Sequence, residues 1–162
     1  MKVRPFQDTD ADALYRIYLE PDVMANNAYL PSMSRSDFDA LLNHMAHNFV
    51  ACDDDGTVMG HLCIRNAAKP RIKHIASFGL AVSSSCRRRG VARLLMQHLL
   101  DFCFNWLNVV RIELSVHANN DGAIAWDHSF GFELEGRQRQ AVYVNGLYLD
   151  TLSMALLHPK GQ

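Results

Sequence analysis

Three consecutive arginines and a glycine, Arg87-Arg88-Arg89-Gly90, stand directly before an apolar helical pattern, and residues 83–92 contain no acidic side chain. The first N–H groups of a helix have no carbonyl one turn earlier to bond, and the helix dipole adds partial positive charge there. A glycine lets an anion approach the backbone, and the arginines add full charges. The chemistry of such a corner is the binding of a phosphate or diphosphate. Other groups with chemical potential are weaker. His44 and His47 are a metal pair or a solvated helix edge. Asp53-Asp54-Asp55-Gly56 is a metal loop or a turn, and the turn is preferred because Asp and Gly suit its geometry. Cys52, Cys63, Cys86 and Cys103 are widely spaced, with no C-x-x-C. They suggest neither a zinc site nor a disulfide framework, and the expectation is reduced thiols in a cytoplasmic protein.

The elements that must position the arginine loop read clearly. Residues 75–82 are nearly all apolar or small, as a strand covered on both faces would be. Val91, Leu95, Leu99, Phe102 and Trp106 then recur at helical spacing and predict one buried stripe. With 162 residues the chain is expected to form a single domain over 1–162, with a self-sufficient core. The formal net charge of −1 makes the basic triplet a local feature and gives no general field for nucleic acid or anionic membrane. No segment has the apolar core of a signal peptide or the length of a membrane span.

In chain order, residues 2–6 predict a strand. Asp8-Thr9-Asp10 offers caps for a helix carrying Ala13, Leu14, Ile17 and Tyr18, which Pro21 would close. A second helix starts at Ser36-Asp37 and includes His44 and His47. Residues 48–52 and 58–64 flank the acidic turn as a hairpin. Residues 111–116 form a strand with Ile112, Leu114 and Val116 on one side and Arg111, Glu113 and Ser115 on the other. Residues 122–130 make a short helix ended by Gly131. Residues 132–134 and 140–144 give a strand or pair of strands, and Asn145-Gly146 turns into a last strand over 147–156. The pattern is α/β with a mixed sheet.

This order, with two motifs, resembles the GCN5-related N-acetyltransferase (GNAT) superfamily. The family's acetyl-CoA loop, Gln/Arg-x-x-Gly-x-Gly/Ala, stands here as Arg87-Arg88-Arg89-Gly90-Val91-Ala92 after Leu80-Ala81-Val82. Its second motif, Asn then Ala three later then Gly-Phe, stands as Asn120, Ala123 and Gly131-Phe132. The ending, with Asn145-Gly146, Tyr148, Asp150 and Met154, is similar to the branch that includes bacterial L-amino-acid N-acetyltransferases. The resemblance implies a mixed, mostly antiparallel sheet with splayed central strands and helices on both faces. It implies that Leu80, Ala81 and Val82 offer backbone groups to the pantetheine arm of acetyl-CoA, that Arg87, Arg88, Arg89, Gly90, Val91 and Ala92 hold its diphosphate, and that Asn120 bonds the cosubstrate. No metal is implied.

The implied reaction is attack of a neutral primary amine on the acetyl thioester, with a proton delivered to the leaving thiolate. The family commonly places a tyrosine as proton donor seven residues after the Asn; here that position is Asp127. Asp127 is either that acid, with its pKa raised by burial, or a helix-surface carboxylate. Many relatives place a Glu five residues before the Asn, where Ser115 stands. Glu113, two residues back, is the alternative base through water, or a rim carboxylate paired with an arginine. His74, His117, His128, Tyr143 and Tyr148 are further candidates. A lysine amine is neutral in only about 0.04% of molecules at pH 7, and a peptide α-amine in roughly 10–15%. A weak base therefore suits a small α-amine, an amino acid or related metabolite, with Asn26, Asn27, Arg137 or Arg139 available for a carboxylate. The expected partner is thus a small-molecule amine, without nucleic acid or membrane, and the last hairpin offers a homodimer contact. Alternatives are a non-catalytic acetyl-CoA sensor and a protein N-terminal or lysine acetyltransferase.

Overall fold

The computed structural model describes residues 1–159. Its elements in order are strand β1 (Lys2–Pro5), helices α1 (Ala11–Tyr18), α2 (Pro21–Met24) and α3 (Arg35–His44), strands β2 (His47–Cys52), β3 (Val58–Asn66) and β4 (Ile75–Val82), helix α4 (Val91–Asn105), strand β5 (Arg111–His117), helix α5 (Asp121–Ser129), and strands β6 (Glu133–Val144) and β7 (Leu147–Leu157). This is the expected mixed α/β architecture with one additional short helix. The chain divides into two compact units, residues 1–65 with 78–106, and residues 66–77 with 107–162.

In the first unit β1, β2 and β3 pair antiparallel, and β4 follows β3 in the strand order. The buried core includes Leu14, Ile17 and Tyr18 of α1, Phe38 and Leu42 of α3, Val50 and Ala81. Gly60 makes close packing feasible: a Cβ there would lie 2.8 Å from the Ala81 carbonyl oxygen and 3.1 Å from Val91 Cγ1. On α4 the buried stripe is Val91, Leu95, Met96, Leu99 and Cys103. Trp106 is not part of it. The helix ends at Asn105, and Trp106, at φ −121°, turns its ring out and is 75% exposed.

Other boundaries also differ from expectation. Helix α1 ends at Tyr18, and Pro21 opens α2 at its first position, where a missing N–H loses no hydrogen bond. The Ser34 side chain and Asp37 form a reciprocal cap at the start of α3. His44 ends that helix and His47 begins β2, so the two do not share a helical face. Among the described residues no group of three or more His, Cys, Asp or Glu side chains is arranged to hold a metal. Gly56, at φ +91°, closes the acidic hairpin as a turn.

In the second unit the start of β4 pairs parallel with β5, from Ile75 against Arg111 to Ser77 against Glu113. Strand β5 pairs antiparallel with β7, and β7 with β6. Strand β6 is one strand with register shifts after Leu134 and Gln138, where two strands separated by a break were an open alternative. Asn145 (φ +50°) and Gly146 (φ +84°) make its two-residue turn. Ile112, Val116, Phe132, Met154 and Ala155 are buried.

Strand β4 is less enclosed than its composition predicts: only Ala76 and Ala81 are buried, and the rest are half-buried. No helix among the described residues is long and apolar enough to cross a membrane.

Candidate active site

The arginine loop lies within the first unit. After Val82, Ser83 donates its N–H to the Met59 carbonyl at 2.9 Å, and a single 3-10 turn over Ser84–Cys86 follows. Arg88 (φ +60°) and Gly90 (φ +84°) are left-handed, a conformation Gly adopts without penalty and an arginine adopts with some strain. Such residues turn successive N–H groups into a concavity suited to an anion. Gly90 is also the N-cap of α4, and having no side chain it makes no capping bond. In α3 and α5, by contrast, Ser34 and Asn120 accept from their own helix N-termini. The N-cap position of α4 thus brings no side-chain acceptor of its own, and three exposed arginines stand beside it.

Two acidic residues that the sequence did not single out bind this loop. Glu20 Oε1 accepts from Ser83 Oγ at 2.8 Å, and Oε2 accepts from the Ser84 N–H at 2.6 Å. Partial burial alone would raise the Glu20 pKa, but these bonds and the charge of Arg87 hold it below the ordinary value. Arg87 Nη1 donates to Asp22 Oδ2 at 2.9 Å. Arg89 makes a weak contact to Cys86 Sγ at 3.8 Å. The partners are 63 to 65 residues apart, and no local pattern announces them.

The candidates Asn120, Asp127 and Glu113 lie in the second unit. Asn120 Oδ1 accepts from the Ala123 N–H at 3.1 Å and starts α5, which Gly131 ends at φ +92°. Asp127 is seven residues on, two helical turns later and on the same helix face. It is not a surface carboxylate: its exposure is 6%. Burial pushes its carboxyl up to about 6, against a small opposing pull from His128. No side-chain hydrogen bond among the described residues holds that carboxylate. A buried carboxylate with a raised pKa is a recurrent feature of proton-transfer sites.

Glu113 Oε2 accepts from Arg111 Nε at 3.2 Å, the arginine-paired arrangement, while Arg111 also grips Glu135 through both Nη atoms at 2.8 and 2.5 Å. His128 Nδ1 lies 2.8 Å from the Phe132 carbonyl oxygen. Tyr143 and Tyr148 face each other across the last hairpin with ring centroids 4.9 Å apart, and both are exposed. Three of the four groups anticipated for a carboxylate have bonds within the chain. Asn26 and Asn27 donate to the carbonyls of Asp22 and Val23, and Arg137 pairs with Asp150 at 2.7 Å.

The comparisons with known proteins agree with these elements. Residues 11–132 match the Acetyltransferase (GNAT) family. The chain is 37% identical to the L-amino acid N-acetyltransferase AaaT of Escherichia coli over 155 residues, covering 94% of this chain and 95% of that protein. Two solved structures share the fold. One is spermidine N-acetyltransferase from Vibrio cholerae in complex with CoA and spermine (TM-score 0.88, 24% identity, 99% of this chain and 96% of that one). The other is a phosphinothricin acetyltransferase from Sinorhizobium meliloti in complex with acetyl-CoA (TM-score 0.89, 19% identity, 99% and 90%). With three quarters of its length inside the family match and a relative this similar from end to end, the chain belongs to the acetyltransferase (GNAT) family.

Proposed function

We propose that the chain transfers the acetyl group of acetyl-CoA to the primary α-amine of a small amino acid or related metabolite. The observation that carries the reading is the glycine N-cap of α4, with left-handed Arg88 and Gly90 and three exposed arginines. These residues fit a diphosphate by main-chain donors and charge together. In this reading Arg87 to Ala92 take the diphosphate, Leu80, Ala81 and Val82 offer backbone groups to the pantetheine arm, and Asn120 bonds the cosubstrate. The near full-length similarity to an amino-acid acetyltransferase supports the acceptor class.

The chemistry is a direct transfer. The amine nitrogen forms a bond to the acetyl carbon, the carbon–sulfur bond breaks, the nitrogen loses a proton and the thiolate gains one. Asp127, with a pKa near 6, carries a proton in about one molecule in ten at pH 7, against roughly one in a thousand for an ordinary aspartate. Burial therefore makes it a much better proton donor than its residue type suggests. Glu113 serves as base only when it is released from Arg111. A cytoplasmic protein with a single N-acetyltransferase domain over 1–162 completes the reading.

Thiol release from acetyl-CoA, followed with a panel of amines, tests it. Turnover with amino acids is expected. Acetyl-CoA binding with no turnover on any acceptor overturns it in favour of a sensor. Undiminished acetyl-CoA affinity in an Arg87→Ala, Gly90→Asp double variant excludes the proposed loop.

A further inference from the structure

Strand alternation places His61, Cys63 and Arg65 of β3 on one face. Residues from α1 and the segment after α2 meet that face in the first unit. The Tyr18 hydroxyl lies 2.9 Å from His61 Nδ1, and the Tyr29 ring centroid is 6.2 Å from that of Tyr18. The proton positions follow from the far end of the network. Asn48 Nδ2 donates to the Leu42 carbonyl at 3.0 Å, so Asn48 Oδ1 accepts from His61 Nε2 at 3.2 Å. His61 Nδ1 is then the acceptor, and Tyr18 donates to it. Beside Cys63, Gly79 of β4 keeps the face low, because a Cβ there would stand 2.9 Å from Cys63 Sγ.

Arg65 is the charged member of this face. It is exposed, and among the described residues no carboxylate pairs with it. Burial raises the pKa values of Tyr18, Tyr29 and Cys63, and the charge of Arg65 reaches all three and opposes that rise. Tyr29 also lines an adjoining cavity of about 440 Å³ with Leu30, Met33 and Leu41. That volume is ample for an amino-acid side chain. Tyr29 thus packs on the β3 face that carries Arg65, within reach of its charge, and lines a cavity whose wall is mostly apolar with Ser32 and Asp37 as its polar members.

We propose that Arg65, with the Tyr29 hydroxyl, holds the α-carboxylate of an amino-acid acceptor, and that the cavity of Tyr29, Leu30, Met33 and Leu41 takes its side chain. The assignment rests on the acetyl-transfer reading above and makes Arg65 a specificity-determining residue. A guanidinium fork matches a carboxylate in plane and charge, whereas an amide or bare amine offers it no anion. The side chain is exposed and carries no ion pair among the described residues, so its replacement should leave the fold intact.

The test is steady-state thiol release by the wild type and Arg65→Gln at saturating acetyl-CoA. The acceptors are a panel of free L-amino acids, the matching amino-acid amides and the matching amines without a carboxylate. The acetyl-CoA Kd of each protein is measured by calorimetry. The wild type is expected to favour the free acids. Arg65→Gln should raise their KM by about 10- to 100-fold, the scale of a charge-assisted pair, while the amide KM and the acetyl-CoA Kd stay unchanged. An equal effect on acids and amides, or no effect, overturns the anchor. A wild-type preference for carboxylate-free amines overturns the anchor and leaves acetyl transfer standing. Absence of turnover with every acceptor overturns both readings. Met33→Trp, which fills the cavity, should shift preference to smaller side chains, and an unchanged size profile overturns the cavity assignment.

Discussion

Arg87 donates to the Asp22 carboxylate across 2.9 Å and ties the arginine loop to α2. To meet a diphosphate, Arg87 must exchange one anion for another. Both side chains are largely open to water, 45% exposed for Arg87 and 64% for Asp22, and pairs of this kind contribute about 0–1 kcal/mol. Asp22→Asn is therefore expected to tighten acetyl-CoA binding by up to about fivefold, and Arg87→Ala to weaken it. Calorimetric titrations at low and high salt check both. Weaker binding by the Asp22 variant would show that the pair helps the loop bind rather than competing with the ligand.

Gly90 separates conformation from charge. It sits at φ +84°, and a Cβ placed there meets nothing within 4 Å, so a side chain brings strain without a clash. Left-handed backbone costs an ordinary residue roughly 1–2 kcal/mol, and Asn less. Gly90→Asn should keep most of the stability and most of the acetyl-CoA affinity. Gly90→Asp should unfold at a similar temperature yet lose at least about tenfold in affinity, because it places an anion at the proposed diphosphate site. Thermal melts paired with binding titrations read the two effects apart, and equal affinities for both variants would contradict the site.

The strand, loop and helix around residues 75–105 were legible because each rests on local rules: apolar runs, helical spacing and a glycine before a helix. Asn145-Gly146 and Gly131 were readable for the same reason. Trp106 was misread because spacing does not show where a helix stops. Pro21 was assigned to the end of one helix and begins the next, since proline is compatible with both places. Asp127 carried no mark of burial in its neighbours, and only the folded chain shows its 6% exposure. Glu20 and Asp22 bond residues distant in sequence, which no local pattern encodes.

The Arg4–Asp10 pair gives a stability prediction. Arg4 meets both Asp10 oxygens, at 2.6 and 2.8 Å, and Asp10 is only 4% exposed. The hydrogen bond from Arg4 is the main reason its carboxyl sits below the ordinary aspartate value. Arg4→Met strands a buried carboxylate and is expected to cost about 3–5 kcal/mol at pH 7. A lowered folded pKa means that this contribution is present above about 3.9 and is lost as pH falls through the folded value. Urea unfolding of both proteins should therefore show a difference that narrows below pH 4. A constant difference would assign the loss to packing of the arginine stem.

Asp127 joins a stability prediction to the proposed proton transfer. Its folded pKa, about 6, lies above the aspartate reference of about 3.9. The protonated form is therefore the one the fold favours. Relative to Asp127→Asn, the wild type should be unhandicapped below about pH 4, lose stability as pH rises from 4 through 6, and reach a plateau above that. The change in the wild-type-to-variant difference between pH 4 and pH 8 is expected to be about 3 kcal/mol. Among the described residues no side-chain hydrogen bond offsets this disadvantage, and the proposed proton transfer would give the carboxylate a use. If so, wild-type kcat should fall as pH rises through 6, and Asp127→Asn should lower kcat by about 10²-fold or more and abolish that fall. The same variant being more stable at pH 8 and slower at every pH would separate an acid from a structural carboxylate. Full kcat across the pH range would remove Asp127 from the chemistry.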